Sequence, residues 1–204
     1  MQSALTLQYQ DSCIVMFARA PVKGQVKTRL IPALGEQGAL EMHLQLMNRQ
    51  MDVLNNSTLC LKQLWVDQCC EHAAFEKFTG DVKLQKGLSL GDKMFHAAED
   101  VLRKFSKVVI IGSDCPGIDE AYLESALREL DKSSNDVVLG PALDGGYVLI
   151  GMKHPYEDIF QDIEWGSELV LQQTINQLNK SDLVYSTLPA LRDIDTAEDL
   201  EDLR

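Results

Sequence analysis

The chain has 204 residues, 45% of them hydrophobic, which is enough for one domain with a sizeable core and excludes a disordered chain. Its 19 Lys and Arg stand against 31 Asp and Glu, and the net charge of -12 repels nucleic acid and anionic membrane surfaces. The first residues lack the basic and apolar stretches of a secretory leader, and no apolar run approaches a membrane span, so a cytoplasmic protein is expected.

In chain order, Ser12–Ala18 (SCIVMFA) is a continuous apolar run, the pattern of a buried parallel strand. A helix is predicted over Glu36–Leu54, where Leu40, Leu44, Met47, Met51 and Leu54 recur at helical spacing. Thr58–Val66 reads as a strand, Cys69–Phe78 as a short helix and Asp81–Gln85 as a short strand. Gly91–Phe105 is helical, with Met94, Ala97, Ala98, Val101 and Leu102 on one side. Lys107–Gly112 (KVVIIG) is the strongest strand, and Asp119–Leu130 a helix opening at an acidic cap. Strands at Asp136–Leu139 and Tyr147–Met152 flank a Pro-Ala-Leu-Asp-Gly-Gly turn. Gly166–Leu178 reads as a helix capped at Gly166-Ser167, followed by a strand at Leu183–Thr187 and a terminal amphipathic helix at Thr196–Leu203. With no repeat and no linker, residues 1–204 form a single domain: a three-layer α/β/α sandwich on a mostly parallel sheet. Ligands of such sheets lie beyond the carboxyl ends of the strands, so the segments that follow strands carry the chemistry.

The segment after the first strand, FARAPVKGQVKTRL, holds Arg19, Lys23, Lys27 and Arg29, and no acid occurs between Asp11 and Glu36 to pair with them. Gly24 allows a turn or a close ligand approach, and the cations with Thr28 can hold phosphate oxygens. The Walker A and GxGxxG spacings are absent, which makes this a phosphate loop of another kind. KVVIIG runs into Gly-Ser-Asp-Cys-Pro-Gly, and the lone Asp114 at a strand end suits a metal ligand better than a cap, since the next helix has its own. Asp144-Gly145-Gly146 is a turn signal, and it also lets a sugar lie against the backbone with Asp144 on a hydroxyl. In Arg-Asp-Ile-Asp-Thr-Ala-Glu-Asp, Asp195 or Thr196 can cap the last helix, and capping accounts for Thr196, Glu198 and Asp199 but not Asp193; the acid pair Asp193 and Asp195 just before the helix can supply a second carboxylate to a Mg2+ or Mn2+ held by Asp114.

Lesser features follow. The Lys86–Lys93 loop can touch a nucleobase or simply connect two elements. Trp165 lines a pocket or belongs to the core, and His43 and His96 read as surface or semi-buried helix residues. Of five cysteines, Cys13 and Cys60 read as core residues, Cys69 and Cys70 are adjacent, and Cys115 has no His partner in sequence; neither a disulfide framework nor zinc is expected.

FARAPVKGQVKTRL, GSDCPG, GPALDGGYVLIG and RDIDTAEDL occur in this order over nearly the whole chain. Together they resemble the bacterial glycosyltransferase-like family of the radical-SAM/selenodomain-associated type. That family lies in the nucleotide-diphospho-sugar transferase superfamily and is similar to the molybdenum-cofactor and phospholactate guanylyltransferases. The resemblance implies an A-type glycosyltransferase fold. It implies that Arg19, Lys23, Gly24, Lys27, Thr28 and Arg29 hold the nucleotide and its phosphates, and that Leu88 and Gly91 face the base. Asp144, Gly145 and Gly146 would line the acceptor side. Asp114 matches the metal acid of a DXD motif, but here the motif is SDC with one acid, so Asp195 would supply the second. Lys27, Asp114 and Asp195 would be catalytic. The implied partners are a nucleotide or nucleotide sugar and a small-molecule acceptor, and a homodimer is compatible with it. The expected activity is metal-dependent glycosyl transfer. The alternatives are nucleotidyl transfer to a phosphorylated small molecule with release of pyrophosphate, and a nucleotide-binding protein without catalysis.

Overall fold

In the computed structural model, which describes residues 6–68 and 71–203, seven strands build one sheet. They are β1 (Ser12–Ala18), β2 (Leu61–Val66), β3 (Asp81–Leu84), β4 (Lys107–Gly112), β5 (Val137–Pro141), β6 (Tyr147–Met152) and β7 (Tyr185–Thr187), in the spatial order β3-β2-β1-β4-β6-β5-β7. All neighbours are parallel except β6, which runs antiparallel to both β4 and β5. The short turn between β5 and β6 dictates this, because only antiparallel strands can be joined so tightly.

Helices α1 (Ile31–Asn56) and α3 (Glu120–Asp131) cover one face, and α2 (Leu90–Leu102) and α4 (Val170–Lys180) the other. Ile14, Met16 and Ala18 of β1 pack with Met47, Met51, Leu123 and Leu127. Cys13, Val15 and Phe17 pack with Met94, Ala97, Val101 and Leu178. Both faces of β1 are therefore buried, which is why its sequence is a continuous apolar run rather than an alternating one. The chain goes from β1 to β2 on one side and reaches β4 on the other, so a crevice opens beyond the carboxyl ends of β1 and β4.

Several elements differ from the sequence reading. Helix α1 starts before Glu36: Pro32 sits in its first turn and the chain kinks at Gly35 (φ 69°). Asp119 caps α3 as predicted, accepting from Tyr122 N at 2.8 Å. Helix α4 begins at Val170 without a side-chain cap, because the Ser167 hydroxyl is spent closing a turn, donating to Glu164 O at 2.8 Å. Cys69 and Cys70 lie outside the described residues, and the short helix predicted from there is a single 3-10 turn, Ala73–Phe75, capped by His72. The terminal helix is also 3-10, Glu198–Leu203, held by the Asp199 carboxylate, which accepts from Asp195 N and Thr196 N. Cys13, Cys60 and Cys115 are buried free thiols, and burial pushes the first two up to about 12. Among the described residues no helix is long and apolar enough to cross a membrane.

Candidate functional site

A cleft of about 690 Å³ occupies the crevice. Arg19, Lys27, Thr28 and Arg29 line it from the loop after β1, Ser113 and Asp114 from the end of β4, and Asp144, Gly146 and Tyr147 from the β5–β6 turn. Asp195 and Trp165 complete the wall.

The basic loop is tightly folded. Val22 N donates to Ala20 O at 2.8 Å and Gln25 N to Val22 O at 3.0 Å, a turn that needs the positive φ (77°) of Gly24. Asp67, at the end of β2, accepts from Ala20 N at 2.8 Å. His43 on α1 lies 3.0 Å through Nε2 from Arg19 O. A carbonyl can only accept, so Nε2 carries the proton. The sequence placed His43 at the surface or semi-buried; it is buried, and that burial pushes its pKa down and keeps the ring neutral.

Lys27 adopts the left-handed conformation (φ 48°), which costs a residue with a side chain about 1 kcal/mol and directs the chain inward. Its Nζ lies 2.9 Å from Asp114 Oδ2 and 3.7 Å from Asp195 Oδ1, and donates to the carbonyl of Ile194. The Lys27 side chain is 3% exposed, against 41% for Asp114 and 39% for Asp195. Arg29 Nη1 binds the other oxygen of Asp195 at 2.9 Å. The acid-free loop thus finds its acids elsewhere in the chain, and two of its four cations are paired rather than unopposed.

Backbone contacts explain how Asp195 arrives. Leu191 N donates to Pro141 O at 2.9 Å, Leu143 N to Leu191 O at 3.0 Å, and Ile194 N to Asp114 O at 3.1 Å. The segment 191–195 is clamped between the β5–β6 turn and the β4–α3 turn. Cys115 adds a thiol contact to Arg192 O at 3.3 Å. Burial pushes that thiol up to about 11, which keeps it protonated at neutral pH.

Asp193 is the residue the sequence undervalued. It lines a smaller cavity of about 240 Å³ with Arg29, Leu143, Asp144, Arg192, Asp195, Thr196 and Asp199. Burial, and then the charge of Asp144, raise its carboxyl to about 6. Ile194 between the two acids is buried, and Asp193 and Asp195 both line this smaller cavity.

The remaining predicted residues divide. Asp144 lines both cavities and closes its own turn, with Oδ1 accepting from Gly146 N at 2.9 Å. Gly145 (φ 91°) is required for a different contact: a Cβ there would lie 2.1 Å from Glu168 O. Lys23 and Gly24 are outside the cleft wall. So are Leu88, which is fully exposed, and Gly91, which is buried where a Cβ would press on Trp165 and Phe160. Gly91 instead lets the indole of Trp165 pack, edge-on to Tyr147 at 6.4 Å. The cleft is met by Gln85, Leu90, Lys93 and Met94.

Among the described residues no group of three or more His, Cys, Asp or Glu converges as a metal site. Asp114 and Asp195 nevertheless fit a hard cation that keeps water and phosphate ligands, since Mg2+ is ordinarily held by one or two carboxylates. The Lys27 ammonium lies within ion-pair distance of both.

The sequence model of a family described as "Uncharacterized protein conserved in bacteria (DUF2064)" matches residues 50–167. No curated protein matches the chain. Among solved structures, a candidate nucleotide-diphospho-sugar transferase from Desulfovibrio desulfuricans G20 superposes with a TM-score of 0.86 at 30% identity, over 95% of this chain and 86% of that one. CMP:2-keto-3-deoxy-manno-octonic acid synthetase, complexed with CTP, gives a TM-score of 0.60 at 12% identity, over 95% of this chain and 97% of that one. A Mycobacterium tuberculosis H37Rv protein solved with manganese gives 0.59 at 15% identity, over 95% and 97%. The last two share the fold alone. The α/β architecture expected from the sequence is the one these structures have.

Proposed function

The chain belongs to the DUF2064 family, and from that premise and the geometry of its cleft we propose that it is a metal-dependent transferase acting on an activated nucleotide. One observation carries the reading: a buried, strained lysine places its ammonium between two carboxylates on the wall of a cleft of ligand size. Arg19, Thr28 and Arg29 stand on the same wall and offer donors to phosphate oxygens. Asp114 and Asp195 would hold Mg2+ or Mn2+, which when bound neutralises phosphate charge. Lys27 and Arg29 stabilise the charge that grows on the departing phosphate, while His43 and Asp67 hold the start of their loop at Arg19 and Ala20.

Glycosyl transfer from a nucleotide sugar is the first reading. The smaller cavity beside the cleft supports it, with four carboxylates (Asp144, Asp193, Asp195, Asp199) against two guanidiniums (Arg29, Arg192). That balance disfavours a phosphorylated acceptor and suits a neutral, hydroxyl-bearing one. The name given to the Desulfovibrio relative, a nucleotide-diphospho-sugar transferase, agrees with this. Nucleotidyl transfer is the second reading, favoured by Arg29 because its guanidinium borders both cavities and could meet an acceptor phosphate.

A thermal-shift panel of nucleoside triphosphates and nucleotide sugars with Mg2+ or Mn2+ tests the proposal. A nucleotide sugar should raise the midpoint, because it binds only the folded state. Release of nucleoside diphosphate on adding acceptors then supports glycosyl transfer, and release of pyrophosphate from a triphosphate supports the second reading. Nucleotide binding that ignores the metal and survives Asp114→Ala would leave a binding protein without catalysis.

A further inference from the structure

Lys27 Nζ fills the space between Asp114 and Asp195, and three oxygens converge on it: Asp114 Oδ2 at 2.9 Å, Asp195 Oδ1 at 3.7 Å and the carbonyl of Ile194. Two carboxylates and a backbone carbonyl are the kind of oxygen set a hard cation takes. The chain satisfies that set with its own charge. This is a built arrangement rather than a roaming surface lysine. The side chain is 3% exposed, the backbone is held left-handed at Lys27, and Ile194 is itself fixed by its N–H on Asp114 O at 3.1 Å.

We propose that Lys27 is an internal plug, closing the divalent-metal site of the ligand-free protein until a polyphosphate offers its ammonium a replacement anion. Metal and nucleotide then load together, and metal alone is refused. The inference rests on the reading of Asp114 and Asp195 as metal ligands. The charge arithmetic is direct: two carboxylates are balanced by Lys27 and Arg29, so a divalent ion would enter a neutral cluster already holding two cations. Like charges a few ångströms apart in a half-buried site repel strongly. A triphosphate or diphosphate brings the negative charge that makes room for both.

The test uses Mn2+ as probe, followed by the electron paramagnetic resonance of the free ion when no nucleotide is present. Mixtures with nucleotide are compared with the same Mn2+-nucleotide solution without protein, and the protein-bound metal is counted after ultrafiltration. Wild-type protein should take up Mn2+ at this site only when a ribonucleoside triphosphate is added, each of the four being tried. K27M, which keeps the apolar stem and removes the charge, should bind Mn2+ alone about tenfold more tightly than wild type, or better. Adding D114N to K27M should erase the gain, and K27R, which keeps a cation, should behave as wild type. K27Q repeats the measurement should K27M melt early. Wild type binding Mn2+ alone as tightly as K27M would overturn the plug, as would K27M gaining nothing while Mn2+ and a nucleotide bind together. Failure of both proteins to take up Mn2+ with any of the four nucleotides would instead overturn the metal reading of Asp114 and Asp195.

Discussion

The molecule holds two clusters of one lysine and two aspartates, at opposite ends of the same sheet. At the carboxyl end Lys27 meets Asp114 and Asp195; at the amino end Lys107 meets Asp11 (3.2 Å) and Asp131. Each centres on one lysine between two aspartates, with Arg29 added on Asp195 at the carboxyl end, so the lysine-aspartate core alone does not separate them. Lys107 opens β4 with ordinary strand backbone, Asp11 directly precedes β1, and Asp131 ends α3, where a cation also favours the helix terminus. Its side chain is 12% exposed, both its acids are half-exposed, and neither cavity reaches it. Lys27 is strained, more deeply buried, and faces a cleft with acids delivered by two distant segments. The amino-end cluster ties element ends together at little cost. The carboxyl-end cluster holds its charge on the wall of a cleft, with a strained backbone at Lys27, and that is what recommends it as the candidate site.

The largest expected effect breaks the equivalence outright. Asp114→Asn should lower turnover by roughly 10²–10³, the usual loss when one preorganised charge partner at the reacting group is removed. Asp11→Asn and Asp131→Asn should leave turnover unchanged. Initial rates in the nucleotide-sugar assay decide this, and a comparable loss in Asp11→Asn would show that the two ends cannot be told apart by strain and cavity.

Parts of this contrast were legible in the sequence. SCIVMFA and KVVIIG announce doubly buried strands, and the segments after them carry Lys27 and Asp114, so the position of the site follows from topology. The acid pair Asp193 and Asp195 was visible as a source of a second carboxylate, but only the family resemblance chose Asp195, because its arrival depends on backbone bonds from Leu191 and Ile194 that no local pattern encodes. The left-handed Lys27 was invisible, since nothing in Val-Lys-Thr marks a positive φ. Leu88 and Gly91 were placed at the base because a glycine-flanked loop opens a helix there, whereas the capping box of Ser89 and Asp92 accounts for that loop. Asp193 was noticed only as one of an acid pair, because its environment, burial first and then the charge of Asp144 far away in the chain, is set by tertiary packing.

A second prediction sharpens the comparison through acid crowding, which only the carboxyl end shows. The folded pKa of Asp193, about 6, exceeds an unfolded value of about 3.9, so the folded state binds more protons between those limits. Wild-type stability should therefore fall as pH rises from about 4 to about 6. Asp193→Asn removes that loss. After discounting for solvent screening of a half-buried group, the gain at pH 7.5 is about 1 kcal/mol, or about 2–4 °C in midpoint. Melting curves at pH 4 and 7.5 check it, and an equal gain at both would assign the effect to packing rather than charge.

The smallest effect belongs to the amino end. Burial pulls the pKa of Asp11 upward, but the hydrogen bond and charge of Lys107 outweigh it and hold the carboxyl below its usual value. A lowered acid contributes stability above its unfolded pKa and loses it as pH falls through the folded one. Asp11→Asn should cost about 0.5 kcal/mol at neutral pH, the scale of an exposed ion pair. The pair is half in water, so the cost should vanish in 1 M salt, where the screening length is about 3 Å. The Lys27 pairs are buried on the lysine side and should resist the same salt. Denaturant midpoints of Asp11→Asn and of K27M at low and high salt test this directly. A salt-sensitive K27M would mean that the two clusters differ in position but not in kind, and the case for a site at the carboxyl end would then rest on the cleft alone.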